Sequence, residues 1–266
     1  MKNITRLTIL CLIPLLAMSL AACSTLSDKS SSGKGTLRVG LTPDLPPLAF
    51  VENGKLTGLE VDLARALALA LGRQVEVTSM PWADLLKSLQ EDKIDVIMGG
   101  LTITKARSLQ VLFTDPIMES GLMALVRVSD RETLSTPEAL ANYGGQIGVM
   151  PGTTSDAFVQ RAYPKARRIP VSSASDAALV LQRRGMDAFV HDLPAVIWLH
   201  SLNAANTAVI KEPLQREQIG WALRRDDTEL KAAINGVLAG WKKDGSLRTA
   251  IDRWLPYYQK LLEPNP

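Results

Sequence analysis

Thiol and imidazole groups are scarce in this chain: 266 residues carry two cysteines and two histidines. Both cysteines, Cys11 and Cys23, lie in the first two dozen residues. The remainder has no thiol for a disulfide, a metal or a nucleophile. Its fold must rest on the apolar core alone, which roughly 230 residues can supply for two smaller lobes. Neither sign of charge prevails. The formal charge is +3, and the Arg167-Arg168 and Arg224-Arg225 pairs are short and dispersed, so a nucleic-acid footprint is excluded. The N-terminal apolar run, Leu7 to Leu20, is interrupted by Pro14 and falls short of the ~20 residues of a membrane span. The signatures G-x-S-x-G, H-E-x-x-H, the P-loop and G-x-G-x-x-G are missing, and no cofactor or metal is expected.

Lys2 and Arg6 precede the apolar run, which is the layout of a secretory signal peptide. Leu20-Ala-Ala-Cys23 resembles a bacterial lipobox, which implies removal of residues 1–22 and a lipid anchor on Cys23; a plain signal cut nearby is the alternative. Removal of the signal takes away Lys2 and Arg6 and no acid, lowering the formal charge from +3 to about +1. Residues 23–35 are rich in Ser and Gly and read as a tether, able to reach roughly 40 Å when stretched. The anchored domain is expected on the periplasmic face of a bacterial membrane. By analogy with bacterial lipoproteins, Ser24 after the lipid site points to the outer membrane.

Beyond the tether, strand and helix patterns alternate, which argues an α/β fold with largely parallel sheets. Strands are expected at Leu37–Leu41, Gln74–Thr78, Val96–Gly99, Leu122–Val126, Gln146–Val149, Arg168–Val171, Ala188–His191 and Gly220–Leu223. Helices are expected at Leu59–Leu71, Pro81–Leu89, Ser155–Tyr163, Ser175–Arg184 and Asp227–Asp244. The Leu59 helix is apolar nearly all round and should be well buried. In the last helix Leu230, Ala233, Ile234, Val237, Leu238 and Trp241 recur at steps of three and four. Periodicity alone does not say which sheet the returning Gly220 strand joins.

Two turns carry the chemistry. Gly100-Leu-Thr-Ile-Thr-Lys-Ala-Arg107 offers hydroxyls, backbone N–H groups and a guanidinium, which suit a carboxylate. Asp187-Ala-Phe-Val-His-Asp192 offers a carboxylate beside an imidazole, which suits an ammonium. Both follow apolar strands, where open α/β sheets place their ligands. With Leu112-Phe-Thr-Asp-Pro116 between them, these motifs resemble the polar amino acid-binding proteins of bacterial ABC uptake systems, solute-binding protein family 3, from about Thr36 to about Pro256. His191-Asp192 is most similar to the glutamine-binding members. The resemblance implies a two-lobed periplasmic-binding-protein fold of type II with two hinge strands. Lobe 1 would comprise residues 36–126 and 218–258, lobe 2 residues 127–217, and residues 259–266 a tail.

Each candidate residue also has a plainer reading. Arg107 is either a surface residue of a short helix opened by Thr104 or the bidentate carboxylate holder, a role lysine would not reproduce. Gly100 and Thr102 would assist it, the first because a glycine backbone can approach closely. Thr153 and Thr154 are ordinary helix caps, anion-binding donors at a helix N-terminus, or both. Asp192 either favours the dipole of the helix begun by Leu193-Pro194 or binds the ammonium. Strand alternation puts His191 in the cleft or in the core; His200, on an apolar helix, reads as structural. Trp82 would be an aromatic wall or a buried residue at a helix start. Leu45, on the Pro-rich loop after the first strand, is a candidate for the pocket lining, and Phe50 reads as core.

Departures from the family pattern bear on the ligand. Lys105-Ala106 replaces an acidic pair, Met150 stands where a lysine often lies, and Thr42 replaces an aspartate found in some glutamine-binding relatives, with Asp44 two residues on. The expected ligand is therefore an α-amino acid with an uncharged polar side chain, handed to an ABC permease. The alternatives are a dehydratase resembling cyclohexadienyl dehydratases, with Glu119 or Asp192 as general acid, and a lipoprotein that senses or scavenges amino acids without a permease.

Overall fold

The computed structural model describes residues 35–256 and Tyr258. The expected signal peptide, Cys23, the expected tether up to residue 34 and the expected 259–266 tail lie outside the described residues. In chain order the first part runs β1 (Thr36–Leu41), β2 (Asp44–Leu45), β3 (Ala49–Glu52), β4 (Lys55–Thr57), α1 (Leu59–Ala70), β5 (Gln74–Ser79), α2 (Trp82–Gln90), β6 (Val96–Ile97), α3 (Lys105–Ser108) and β7 (Leu112–Phe113). The middle part follows with β8 (Met118–Arg127), α4 (Pro137–Tyr143), β9 (Gln146–Val149), α5 (Thr154–Ala162), β10 (Arg167–Pro170), α6 (Ala174–Gln182), β11 (Ala188–Asp192), α7 (Leu193–Leu202) and β12 (Thr207–Val209). The chain closes with β13 (Gln215–Ile219), β14 (Ala222–Leu223), α8 (Thr228–Asp244) and α9 (Ser246–Trp254).

Two sheets form the frame of two lobes. The first has the order β5-β1-β6-β14-β7, the second β10-β9-β11-β8-β12 with β13 also on β8. Each is parallel in one half and antiparallel in the other. β1 runs parallel to β5 and β6, whereas β14 is antiparallel to β6 and β7. β9 is parallel to β10 and β11, whereas β8 is antiparallel to β11, β12 and β13. The largely parallel expectation therefore holds only for the halves built from strand–helix–strand units, where a crossover helix allows parallel neighbours. The antiparallel halves come from the two passages between sheets. β8 carries the chain out and β13 brings it back, paired from Met118–Ile219 to Leu122–Gln215. The returning strand then enters the first sheet as β14.

Local rules account for the element ends. Thr136, Thr153, Ser173 and Asp227 each cap a helix by accepting a backbone N–H through the side chain. Pro81 sits before α2 rather than within it. The α1 helix corrects one expectation: although apolar nearly all round, it buries Leu59, Val61, Leu63, Ala64, Leu67 and Ala68 and leaves Leu69 82% exposed. Burial follows the sheet beneath one face and not the composition of the whole helix. The small antiparallel sheet β2-β3-β4 has no counterpart in the sequence pattern, because its strands are too short to show alternation.

One buried acid ties this frame together. Glu60 on α1 is fully buried, and its carboxylate accepts Trp221 Nε1–H at 2.8 Å and the Gly100 N–H at 3.1 Å. Helix α1, the turn after β6 and the strand returning from the second sheet thus converge on one side chain. Burial pushes its pKa up to about 7, with Trp221 and the amides of Gly100 and Gly99 pulling the other way. Replacing Glu60 by Ala leaves two buried donors without an acceptor, offset in part by relief of the carboxyl's own burial. The expected loss is about 2–4 kcal/mol, or roughly 5–15 °C in Tm for a domain of this size. Thermal unfolding followed by circular dichroism checks this, and a Tm within about 2 °C of wild type would contradict it.

Candidate ligand-binding site between the two sheets

The carboxyl ends of β1, β6, β9 and β11 face one small cavity. Leu45, Trp82, Gly100, Thr102, Arg107, Thr153, Thr154, His191 and Asp192 all line it, and Thr42, Asp44 and Met150 complete the wall. Every residue expected from the sequence to bind the ligand therefore lines the same cavity. What the side chains do there differs in several respects from the expectation.

Gly100 adopts φ 75°, and a Cβ at this position would stand 2.8 Å from Leu48 and 2.9 Å from Leu45. Only glycine fits this left-handed turn packed against the β2 loop. Thr102 follows as an isolated antiparallel partner of Ile219, flanked by the Ile103 N–H to Gln218 O and Gly220 N–H to Leu101 O bonds. In such a non-hydrogen-bonded pair the N–H and C=O of the central residue turn away from the partner strand. The Thr102 carbonyl accordingly accepts Arg107 Nη1–H at 3.0 Å. Its hydroxyl is not offered to the cavity: it donates to Glu217 Oε2 at 3.0 Å.

Arg107 is held by α3, whose start is capped when the Arg107 N–H donates to Thr104 Oγ1 at 3.2 Å. The side chain folds back so that the guanidinium carbon lies 5.6 Å from the centre of the Trp82 ring. Trp82 is thus a cavity wall and also the platform of a cation–π contact. Burial pushes the guanidinium pKa down, with Asp192 and Glu217 opposing, and arginine stays charged in proteins regardless.

From the second sheet, Thr153 caps α5: its hydroxyl accepts the Asp156 N–H and donates to Met150 O at 2.6 Å. Thr154 is the first helical residue, and its hydroxyl donates to Glu217 Oε2 at 3.1 Å. Capping and anion binding are compatible here, because the Thr154 and Ser155 amides, ahead of the capped Asp156 N–H, have no acceptor within the helix and are the donors left for an anion.

The end of β11 supplies the opposite charge. The Asp192 N–H donates to His191 Nδ1 at 2.7 Å, so the imidazole proton sits on Nε2, which meets Met150 Sδ at 3.1 Å. Burial pushes the His191 pKa down to about 4, with Glu217 and Asp44 opposing. His191 is therefore neutral near pH 7, and its 3.6 Å approach to Asp192 is no ion pair. It is both 2% exposed and a cavity residue, so cleft and core are the same place for it. Asp192 occupies the N-cap position of α7 but makes no capping hydrogen bond. Among the described residues no group donates to its carboxylate. Burial pushes its pKa up to about 7, with Arg107 pulling it down.

Sequence reasoning missed Glu217. It lies on β13, whose residues alternate in burial, and an acid at an inward position of that strand was the available signal. Three other residues lie apart from the cavity. Glu119 is exposed on β8 and accepts from Gln218 Nε2 at 2.9 Å outside the cavity, so it is no candidate acid. Phe50 packs between Trp198 and Trp254, at 5.3 and 6.1 Å. His200 joins α7 to β12, its Nδ1 3.0 Å from Thr207 Oγ1. Asp44 accepts from Ser175 Oγ at 3.0 Å, a bond from the β2 loop across to α6. Among the described residues no group of three or more His, Cys, Asp or Glu side chains is arranged to hold a metal ion.

Comparison with known proteins agrees with this architecture. The L-cystine-binding protein TcyJ of Escherichia coli strain K12 is 32% identical over 225 residues, covering 83% of this chain and 83% of its own. The solved structure of the P235GK mutant of ArgBP from T. maritima is 36% identical with a TM-score of 0.77, covering 84% of this chain and 96% of its own. The ancestral amino acid-binding protein AncCDT-1, a precursor of cyclohexadienyl dehydratase, is 33% identical with a TM-score of 0.77 over 83% of this chain and 96% of its own. The two-lobed fold is that of the type II periplasmic binding proteins. The sequence profile of the bacterial extracellular solute-binding proteins, family 3, matches residues 37–257, and the chain belongs to that family.

Proposed function

We propose that this protein captures an α-amino acid with an uncharged polar side chain between its lobes and presents it to an ABC permease. The observation that carries the reading is a buried Asp192 carboxylate without a hydrogen-bond donor, lining the same cavity as the Arg107 guanidinium. An α-ammonium completes the first and an α-carboxylate the second. Arg107 and the Thr102 amide receive the carboxylate on lobe 1, residues 36–126 and 218–258. Closure of lobe 2, residues 127–217, then adds the α5 amides and Asp192, with β8 and β13 as the hinge. The ligand side chain points toward Thr42, Asp44, Met150 and neutral His191. The Asp44 carboxylate favours a side chain that donates hydrogen bonds, and the neutral imidazole adds no charge to balance. The Leu20-Ala-Ala-Cys23 sequence supports a lipid anchor on Cys23 at the periplasmic face, with the outer membrane as the expected site.

A dehydratase reading draws on the likeness to AncCDT-1 and on Asp192, whose carboxyl holds its proton near neutral pH. Loss of prephenate or arogenate, with formation of phenylpyruvate or phenylalanine, would establish it.

Arg107→Ala should weaken binding of the cognate amino acid at least about 100-fold while leaving the Tm of the unliganded protein within about 3 °C. This follows because removing a charged, bidentate hydrogen-bonding partner from inside a cavity costs several kcal/mol of binding energy. Isothermal titration with the wild-type ligand decides it, and near-wild-type affinity would overturn the carboxylate assignment.

The pH profile tests the other end. In the closed arrangement without ligand Asp192 is protonated below about 7, and an ammonium requires it ionised. Binding must then release a proton, so affinity rises with pH up to about 7 and levels off above it. The expected slope is about tenfold per pH unit on the acid side. Asp192→Asn should bind far more weakly and lose this slope. A flat profile between about pH 5 and 8 in the wild type would contradict the ammonium assignment.

A further inference from the structure

Glu217 belongs to neither half of the amino acid-binding arrangement, yet it is 7% exposed and touches both sides of it. Its Oε2 accepts Thr102 Oγ1–H at 3.0 Å and Thr154 Oγ1–H at 3.1 Å. The two hydroxyl oxygens lie 3.5 Å apart around the same carboxylate oxygen. Its other oxygen, Oε1, is fixed by Gln215 Nε2 at 2.8 Å. Thr102 belongs to the turn after β6 of the first sheet, and Thr154 opens α5 over the second. Glu217 itself lies on β13, the strand that brings the chain back between the sheets.

We infer that Glu217 is a closure latch: a buried carboxylate at the pivot that receives one hydroxyl from each lobe and thereby holds the cleft shut. This rests on the proposed lobe closure and deepens it by naming what retains the closed form. The hydroxyls of Thr102 and Thr154 then serve the latch, and the backbone amides serve the ligand. Another bond between the first-sheet side and the second, Ser175 to Asp44, is solvent-exposed, where such contacts contribute little. The Glu217 pair is buried and its acceptor carries charge, which is where hydrogen bonds count for most. A residue that only stabilised β13 would need no partner on α5.

The latch predicts a kinetic signature. Ligand docks on the open first lobe, so association is little changed, whereas dissociation requires opening. Glu217→Ala should raise the dissociation rate on the order of 10–100-fold, with association within about threefold, as expected when two charge-assisted hydrogen bonds are removed. Glu217→Gln, which keeps one acceptor oxygen, should fall between and serves if the Ala variant folds poorly. Stopped-flow kinetics with the cognate amino acid reads this; an unchanged dissociation rate, or an effect confined to association, overturns the latch.

A second measurement needs no ligand. With Cys11 and Cys23 replaced by Ser, spin labels are placed by Leu69→Cys on α1 and Leu179→Cys on α6, both exposed positions. Electron–electron distance measurements on the unliganded full chain should show a short-distance population that Glu217→Ala depletes. Identical distributions in the two proteins overturn the latch. If no amino acid binds the wild type, the ligand reading fails and this comparison still decides the role of Glu217.

Discussion

The site depends on an electrostatic imbalance: Asp192 and Asp44 line the cavity with Arg107 and Glu217 lies buried beside it, three acids against one fixed cation. Removing charges from water is expensive unless each is paired or hydrogen-bonded. Arg107 meets the Thr102 carbonyl and the Trp82 ring, and Glu217 accepts three side-chain donors. Asp192 has no donor, and burial drives its carboxyl toward neutrality. Burial leaves this acid neutral near pH 7, and a ligand cation placed beside it would favour its ionised form. That is the physical reason for reading the cavity as a receptor for a zwitterion.

The surrounding structure keeps those groups in place by local means. Glu60 anchors the Gly100 turn from beneath, so the backbone proposed to meet the ligand rests on a buried acid and not on a loop alone. Thr153 caps the Asp156 amide at the start of α5, which leaves the Thr154 and Ser155 amides for the proposed ligand. His191 is fixed in one tautomer by the Asp192 amide, which sets a neutral, donor-bearing ring against Met150. Each of these is a short-range arrangement at the end of a strand, and the two-sheet frame brings them face to face.

Much of this was legible in the residues themselves. The Gly100–Arg107 segment follows a buried strand and the Asp187–Asp192 segment ends one, and the two carry complementary charge, so the residues that line the cavity could be named from the sequence. Composition misled at α1, where Leu69 is exposed because a helix buries only the face that meets the sheet. The antiparallel halves of the sheets escaped because strand direction depends on which sheet a returning segment joins, and periodicity carries no such information. Glu217 and the hydroxyls it engages escaped for a related reason. Thr102, Thr154 and Glu217 are far apart in sequence, and their meeting is a product of the crossing between sheets. Charge pattern can place an acid on an inward strand position; it does not say which donors will converge there.

The most direct test of the central claim is thermal unfolding of the protein against the twenty amino acids, ornithine, citrulline and prephenate. A ligand at one hundred times its Kd adds about 2.7 kcal/mol of stability, equivalent to roughly 5–10 °C for a chain of this size. The account predicts such a rise with one or a few amino acids that carry an uncharged, hydrogen-bonding side chain. A cooperative transition that none of the amino acids moves would contradict it, since Arg107 and Asp192 would then serve something other than an amino acid zwitterion.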